Sequence, residues 1–179
     1  MAAPEKNEEI AFVILIGGGS RSGKSRESLR RLRATGKRLG FIATAQAWDD
    51  EMRERIKLHR EERGGEIVTW EEPLRVADRL RQEEGSYDGI VVDCLTLWLS
   101  NLMLQGQTDV ARQTEDLIDA ATRTVTEVIL VTNEVGCGIV PENGLAREFR
   151  DRAGRLNQGI AECADEVYWM VFGIALRIK

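Results

Sequence analysis

Cysteine is scarce and scattered in this chain. Cys94, Cys137 and Cys163 are the only three, an odd number with no C-x-x-C pair. Neither a disulfide scaffold nor a zinc knuckle is expected, and a reducing, cytoplasmic setting suits them. A basic excess is missing too: 30 acidic residues face 25 basic ones, a net charge of −5 with both signs interspersed. Nonspecific nucleic-acid binding needs a basic face that releases counterions, so no nucleic-acid partner is expected. No apolar run is long enough to span a bilayer, and Met1 to Glu9 carries no apolar signal core, so no transmembrane segment is expected and residues 1–10 read as a loose extension. Internal repeats and low-complexity linkers are also lacking. The rarest residue is histidine, present once, as His59.

What is present is an alternation of strand-like and helix-like runs. Phe12 to Ile16, Leu39 to Thr44, Glu66 to Trp70, Ile90 to Asp93 and Glu127 to Thr132 read as strands. Helices are expected over Arg26 to Arg33, Trp48 or Asp49 to Arg63, Pro73 to Glu84, Leu95 to Leu104, Thr108 to Thr124 and Leu145 to Cys163. Glu166 to Phe172, a turn at Gly173, and Ile174 to Ile178 look like a C-terminal antiparallel hairpin. The alternation predicts an α/β fold, a mostly parallel sheet with helices on both faces. A length of 179 residues fits one domain, expected over residues 11–179 and able to bury about 70% of its unfolded surface.

Gly18-Gly19-Ser20-Arg21-Ser22-Gly23-Lys24-Ser25 fills the pattern G-x-x-x-x-G-K-[ST] between an apolar strand and a helix. The glycines let backbone N–H groups turn inward onto phosphate oxygens, Lys24 reaches the β/γ-phosphates, and the Ser25 hydroxyl can hold Mg²⁺. The helix adds the positive end of its dipole. The chain is a P-loop protein that binds a nucleoside triphosphate.

Three further places can carry chemistry. Asp93 ends an apolar strand; in P-loop proteins an acid at the end of a neighbouring strand holds Mg²⁺, although Asp93 could also simply cap the following helix. His59 lies on the charged helix, where Met52, Ile56, His59 and Arg63 share a face. It is either a surface histidine or a nucleophile whose neutral imidazole attacks phosphorus. Arg55, Arg60 and Arg63 could neutralise phosphate or pair with Glu51, Glu54 and Glu62. Thr132 to Pro141 follows a central strand and sets Asn133 and Glu134 where open α/β sheets place their ligand crevice.

Taken together, these residues resemble the bifunctional adenosylcobinamide kinase/adenosylcobinamide-phosphate guanylyltransferase family of cobalamin biosynthesis. The resemblance is carried by the phosphate loop, Phe41-Ile42-Ala43-Thr44-Ala45, Asp50-Glu51-Met52 with Arg55-Ile56 and His59-Arg60, Glu71-Glu72-Pro73, Asp93-Cys94-Leu95-Thr96 with Trp98 and Asn101, Asn133-Glu134-Val135-Gly136 through Pro141, and Ala164-Asp165-Glu166-Val167. It implies a RecA-like sheet, a homotrimer with active sites between subunits, and two reactions. In the first, ATP or GTP phosphorylates adenosylcobinamide. In the second, GMP passes from GTP through a guanylyl-histidine at His59 to the new phosphate. It also implies that Ala43, Thr44, Ala45, Arg60, Glu61, Glu62, Arg63, Glu71 and Asp93 line the nucleotide site with the loop. Members often carry a Trp a few residues before Glu-Glu-Pro; here Ile67 stands there, and Trp70 precedes Glu71. A P-loop kinase for another small alcohol, or a GTP-binding module without catalysis, would share the loop and leave His59 unexplained.

Overall fold

Strands buried on both faces read as continuous apolar runs, because each side chain meets a helix layer whichever way it points. The computed structural model describes residues 12–47, 49–106 and 109–179. The expectations for residues 1–10, Trp48 and Thr108, and for the side chain of Arg55, lie outside the described residues. The chain runs β1 (Val13–Gly18), α1 (Lys24–Thr35), β2 (Leu39–Ala43), α2 (Asp50–Arg63), β3 (Ile67–Glu71), α3 (Val76–Gln82), β4 (Gly89–Asp93), α4 (Leu95–Leu104), α5 (Val110–Arg123), β5 (Glu127–Val131), α6 (Gly144–Cys163), β6 (Glu166–Val171) and β7 (Ile174–Arg177). β1 is buried along its whole length, and β4 and β5 nearly so.

The seven strands form one sheet in the order β3-β2-β4-β5-β1-β6-β7, parallel except for the final β6–β7 pair. One core packs Val13, Leu15, Val92 and Leu130 against α3, α4, α5 and α6, with Trp98, Leu99, Leu117 and Leu156 fully buried. The other packs Ile14, Ile16, Val91 and Ile129 against Leu29 and Leu32 of α1. Helices thus cover both faces, and the expected α/β architecture is the one found. One expectation needs correction: the strand of Asp93 is not the immediate neighbour of the loop strand, because β5 lies between β4 and β1.

Helix ends follow local capping chemistry. Asp49 caps α2 by accepting from Met52 N at 2.7 Å, and Asn143 caps α6 by accepting from Leu145 N and Ala146 N. α3 begins at Val76 rather than Pro73, because the Glu72 carboxylate takes the N–H groups of Leu74 and Arg75 in a turn. α1 begins earlier than expected, at Lys24, inside the phosphate loop. The β6–β7 turn is Phe172-Gly173, with φ of 51° and 81°, the pair of left-handed residues that a tight two-residue hairpin requires.

Candidate active site

Gly18 and Gly23 bend the chain between β1 and α1. Gly18 has φ of 148°, and a Cβ there would sit 2.8 Å from the carbonyl oxygen of Met170 on β6. Gly23 has φ of 99°, and its Cβ would come within 3.3 Å of Gly173 Cα. Only glycine meets both demands. The hairpin tip braces the loop from outside, with Gly173 N donating to Ser22 O at 3.1 Å, while Glu134 N donates to Gly18 O at 3.1 Å. Within the loop, the buried Lys24 donates through Nζ to Gly19 O at 2.5 Å and to Ser22 Oγ at 3.4 Å. The ammonium is held where bound phosphate oxygens would meet it.

Parallel register delivers the acids. Glu71, Ala43, Asp93, Val131 and Ile16 fall on one row across β3, β2, β4, β5 and β1, so Glu71 and Asp93 open at the sheet edge where β1 feeds the loop. Ser25 Oγ donates to Asp93 Oδ2 at 2.9 Å, although 68 residues separate them. Burial pushes the Asp93 carboxyl above its ordinary value; the Ser25 hydrogen bond and the nearby His59, Lys24 and Arg63 oppose that rise.

The loop, the acids and one face of α2 enclose a cleft of about 920 Å³, within the range of small-molecule sites. Ser20, Arg21, Ser22, Gly23, Lys24 and Ser25 line it, with Ala43, Ala45, Glu71 and Asp93. From α2 come Met52, Ile56, His59 and Arg63, the helical face read from the sequence, together with Glu51, Glu54, Leu58 and Glu62 beside it. The His59 side chain is 39% exposed, with Nδ1 3.2 Å from Glu62 Oε2. Arg63 is only 5% exposed, its guanidinium 4.4 Å over the Phe41 ring and its Nε without a hydrogen-bond partner among the described residues. Burial lowers its pKa. Arg33 of α1 holds the end of α2 by donating to the carbonyls of Glu62 and Arg63.

Other expected residues stand elsewhere. Thr44 is fully buried and its hydroxyl both donates to Cys94 O and accepts from Cys94 N, each at 2.8 Å, so its side chain braces β2 to β4 rather than lining the cleft. Arg60 pairs with Glu71 across the cleft rim rather than with an acid of its own helix. Glu61 is not among the lining residues; the Gly19 carbonyl serves the loop's internal bonds, whereas that of Gly18 accepts from Glu134 N beyond β5.

Sequence reasoning assigned no role to two buried polar residues beside the cleft. Asn101 of α4 donates to Thr44 O at 2.8 Å and to Pro73 O at 3.1 Å, tying the ends of β2 and β3 together. Thr96 accepts from Asn133 N at 2.8 Å, which ties the segment after β5 to α4. The signal was the polar residues Thr96, Ser100 and Asn101 within the otherwise apolar run Leu95 to Leu104, since a buried Asn or Thr must find partners. The apolar wall of Met52, Ile56, Leu97, Val135 and Phe149 was only partly read.

A strand, a glycine-bent loop opening into a helix, and a Ser–Asp pair at the C-terminal edge of a parallel sheet define a P-loop nucleotide-binding enzyme of the RecA-like class. The fold agrees with that of the RadB recombinase, which aligns at a TM-score of 0.50 over 88% of this chain and 73% of that one, at 12% identity. Residues 14–178 match the family described as cobinamide kinase / cobinamide phosphate guanyltransferase. The bifunctional adenosylcobalamin biosynthesis protein CobP of Pseudomonas aeruginosa is 43% identical over 166 residues, 92% of this chain and 96% of that protein. The protein CobU of Salmonella typhimurium, of the same description, is 41% identical over 94% of this chain and all of its own length. The chain belongs to this family of transferases, as its motifs imply. Among the described residues no helix is long and apolar enough to cross a membrane.

Proposed function

We propose that this cleft runs two phosphorus reactions in turn. The first transfers the γ-phosphate of ATP or GTP to the hydroxyl of adenosylcobinamide. The second transfers GMP from GTP through His59 to the resulting phosphate, giving adenosylcobinamide-GDP and pyrophosphate. The observation that carries the reading is that the only histidine of the chain lines the same cleft as the phosphate loop.

In the kinase step the protein positions and neutralises rather than bonding covalently. The loop's N–H groups and Lys24 hold the β/γ-oxygens, and the dipole of α1 adds to them. Ser25 Oγ and Asp93 Oδ2 are hard oxygen donors side by side, and Mg²⁺ bound there with the triphosphate would supply charge neutralisation. In the guanylyl step the same loop retains the leaving pyrophosphate while His59 addresses the α-phosphate and Arg63 takes up its charge.

Residues 11–179 act as one catalytic unit in this reading, supported by two cores on opposite faces of one sheet. A trimer is supported by Phe172, Ile174, Leu176 and Ile178, exposed apolar residues at and beyond the β7 edge; sedimentation would measure it. Three free cysteines fit a reducing cytoplasm.

Incubation with α-³²P-GTP and Mg²⁺ tests the function. The wild type gains one acid-labile GMP by mass, and H59A gains none while still phosphorylating adenosylcobinamide. K24A loses both steps. Label retained in H59A refutes the nucleophile; a kinase for another alcohol or a non-catalytic module shows no label in the wild type either.

A further inference from the structure

The two nitrogens of a histidine nucleophile are not equivalent. The one that carries the proton has no lone pair to give, and the hydrogen bonds the ring makes decide which that is. His59 and Glu62 lie one turn apart on α2, with Nδ1 3.2 Å from Oε2 and both side chains lining the cleft. An ionised carboxylate only accepts hydrogen bonds, so Nδ1 is the donor and the lone pair sits on Nε2. Among the described residues Nε2 has no hydrogen-bond partner, and the Glu62 carboxylate has no Arg or Lys within ion-pair distance. The nearby arginines are engaged elsewhere: Arg60 with Glu71, Arg63 over Phe41, and Arg33 with the Glu62 carbonyl rather than its carboxylate.

We propose that Glu62 is a positioning residue for guanylyl transfer, holding His59 as the Nδ1–H tautomer so that the P–N bond forms at Nε2. This rests on the reading of His59 as the nucleophile. A carboxylate set directly against a triphosphate would repel it, so a place against the imidazole is where Glu62 helps.

The step balances on the ring without outside proton transfer. The Nε2 lone pair attacks the α-phosphorus, and the bond from that phosphorus to the bridging oxygen breaks, its electron pair leaving with pyrophosphate. The ring is then an N-phosphorylated imidazolium that keeps its Nδ1 proton, and Glu62 offsets the new positive charge. An oxygen of the acceptor phosphate next attacks the same phosphorus. The P–Nε2 bond breaks, its electrons return to Nε2, and the neutral Nδ1–H ring is restored. Carboxylate and imidazole divide the work as an orienting group and a nucleophile do elsewhere.

A single histidine makes the test unambiguous. Protein labelled with ¹⁵N-histidine gives one imidazole in a long-range ¹H–¹⁵N spectrum, and the wild type is expected in the Nδ1–H form. After reaction with GTP, the same nuclei report the phosphorus on Nε2. E62A is expected to show a tautomer mixture and to guanylylate more slowly, on the order of tenfold to a hundredfold, the range for groups that orient an imidazole. The loss should fall on kcat more than on KM for GTP. E62Q, which still accepts through its amide oxygen but lacks the charge, should keep the tautomer and fall between. An Nε2–H wild type, an adduct on Nδ1, or an E62A enzyme with unchanged kcat overturns the proposal. A wild type that shows the Nδ1–H tautomer but takes up no GMP refutes instead the nucleophile on which it rests.

Discussion

Replacing Arg63 by Met separates a functional arginine from a structural one. Met keeps an unbranched apolar stem against Phe41 and removes the charge. Two stability terms then oppose one another. The guanidinium over the Phe41 ring at 4.4 Å is a desolvated cation–π contact, worth about 2 kcal/mol. Against it, the buried Nε without a partner costs about 1–3 kcal/mol, a cost that disappears with the side chain. The net change in unfolding free energy is therefore expected to lie within about 1 kcal/mol of zero. Nucleotide affinity is another matter. A guanidinium hydrogen-bonded to phosphate contributes about 1.5–3 kcal/mol, so GTP should bind roughly tenfold to a hundredfold more weakly. Urea unfolding gives the first quantity and calorimetric titration with GTP the second. A fall in stability of more than about 3 kcal/mol with unchanged GTP affinity would refute the reasoning and make Arg63 a structural residue.

Gly18→Ala forces a Cβ onto the Met170 carbonyl at positive φ and should cost at least about 2 kcal/mol in chemical denaturation, whereas Gly19→Ala meets nothing within 4 Å and should leave stability nearly unchanged. The Asp88 carboxyl accepts from Lys37 N, Arg38 N and the Arg38 guanidinium, which lowers its pKa to about 2. Because the folded value lies below the ordinary one, its contribution is present above about pH 4 and disappears as the pH falls through about 2. Asp88→Asn should thus lower the urea midpoint at pH 7, and the difference from wild type should shrink toward pH 2; a constant difference contradicts the linkage. The Cys94 thiol, pushed up to about 11 by burial, should resist alkylation in the native protein while the exposed Cys137 reacts, as mass mapping would show.

The parts of the site legible beforehand are those whose partners are close in sequence. The loop from Gly18 to Ser25 is held by bonds such as Lys24 Nζ to Gly19 O, so a local pattern carries its geometry. The stripe of Met52, Ile56, His59 and Arg63 on α2 follows from helical periodicity alone. Strand positions were legible because β1, β4 and β5 carry unbroken apolar runs, as strands buried on both faces do. What escaped depends on distant partners. Thr44 looks like a cleft residue beside Ala43 and Ala45 until its hydroxyl meets Cys94, 50 residues away. Arg60 has acids on its own helix, yet pairs with Glu71 because β3 brings that residue to the rim. The Pro73 signal put α3 three residues early, because the Glu72 carboxylate diverts the N–H groups there into a turn.

The amino-acid order by itself determined the phosphate loop, the α/β alternation and the single available imidazole, since each is a matter of local spacing or composition. Tertiary structure decided the rest. The strand order that inserts β5 between Asp93 and the loop, and the 2.9 Å contact that nonetheless joins Asp93 to Ser25, depend on register across the sheet. So do the burial of Arg63 over Phe41 and the opening of α2, loop and acids onto one cleft. These pairings join residues tens of positions apart, and no periodicity along the chain encodes which distant partner a side chain meets.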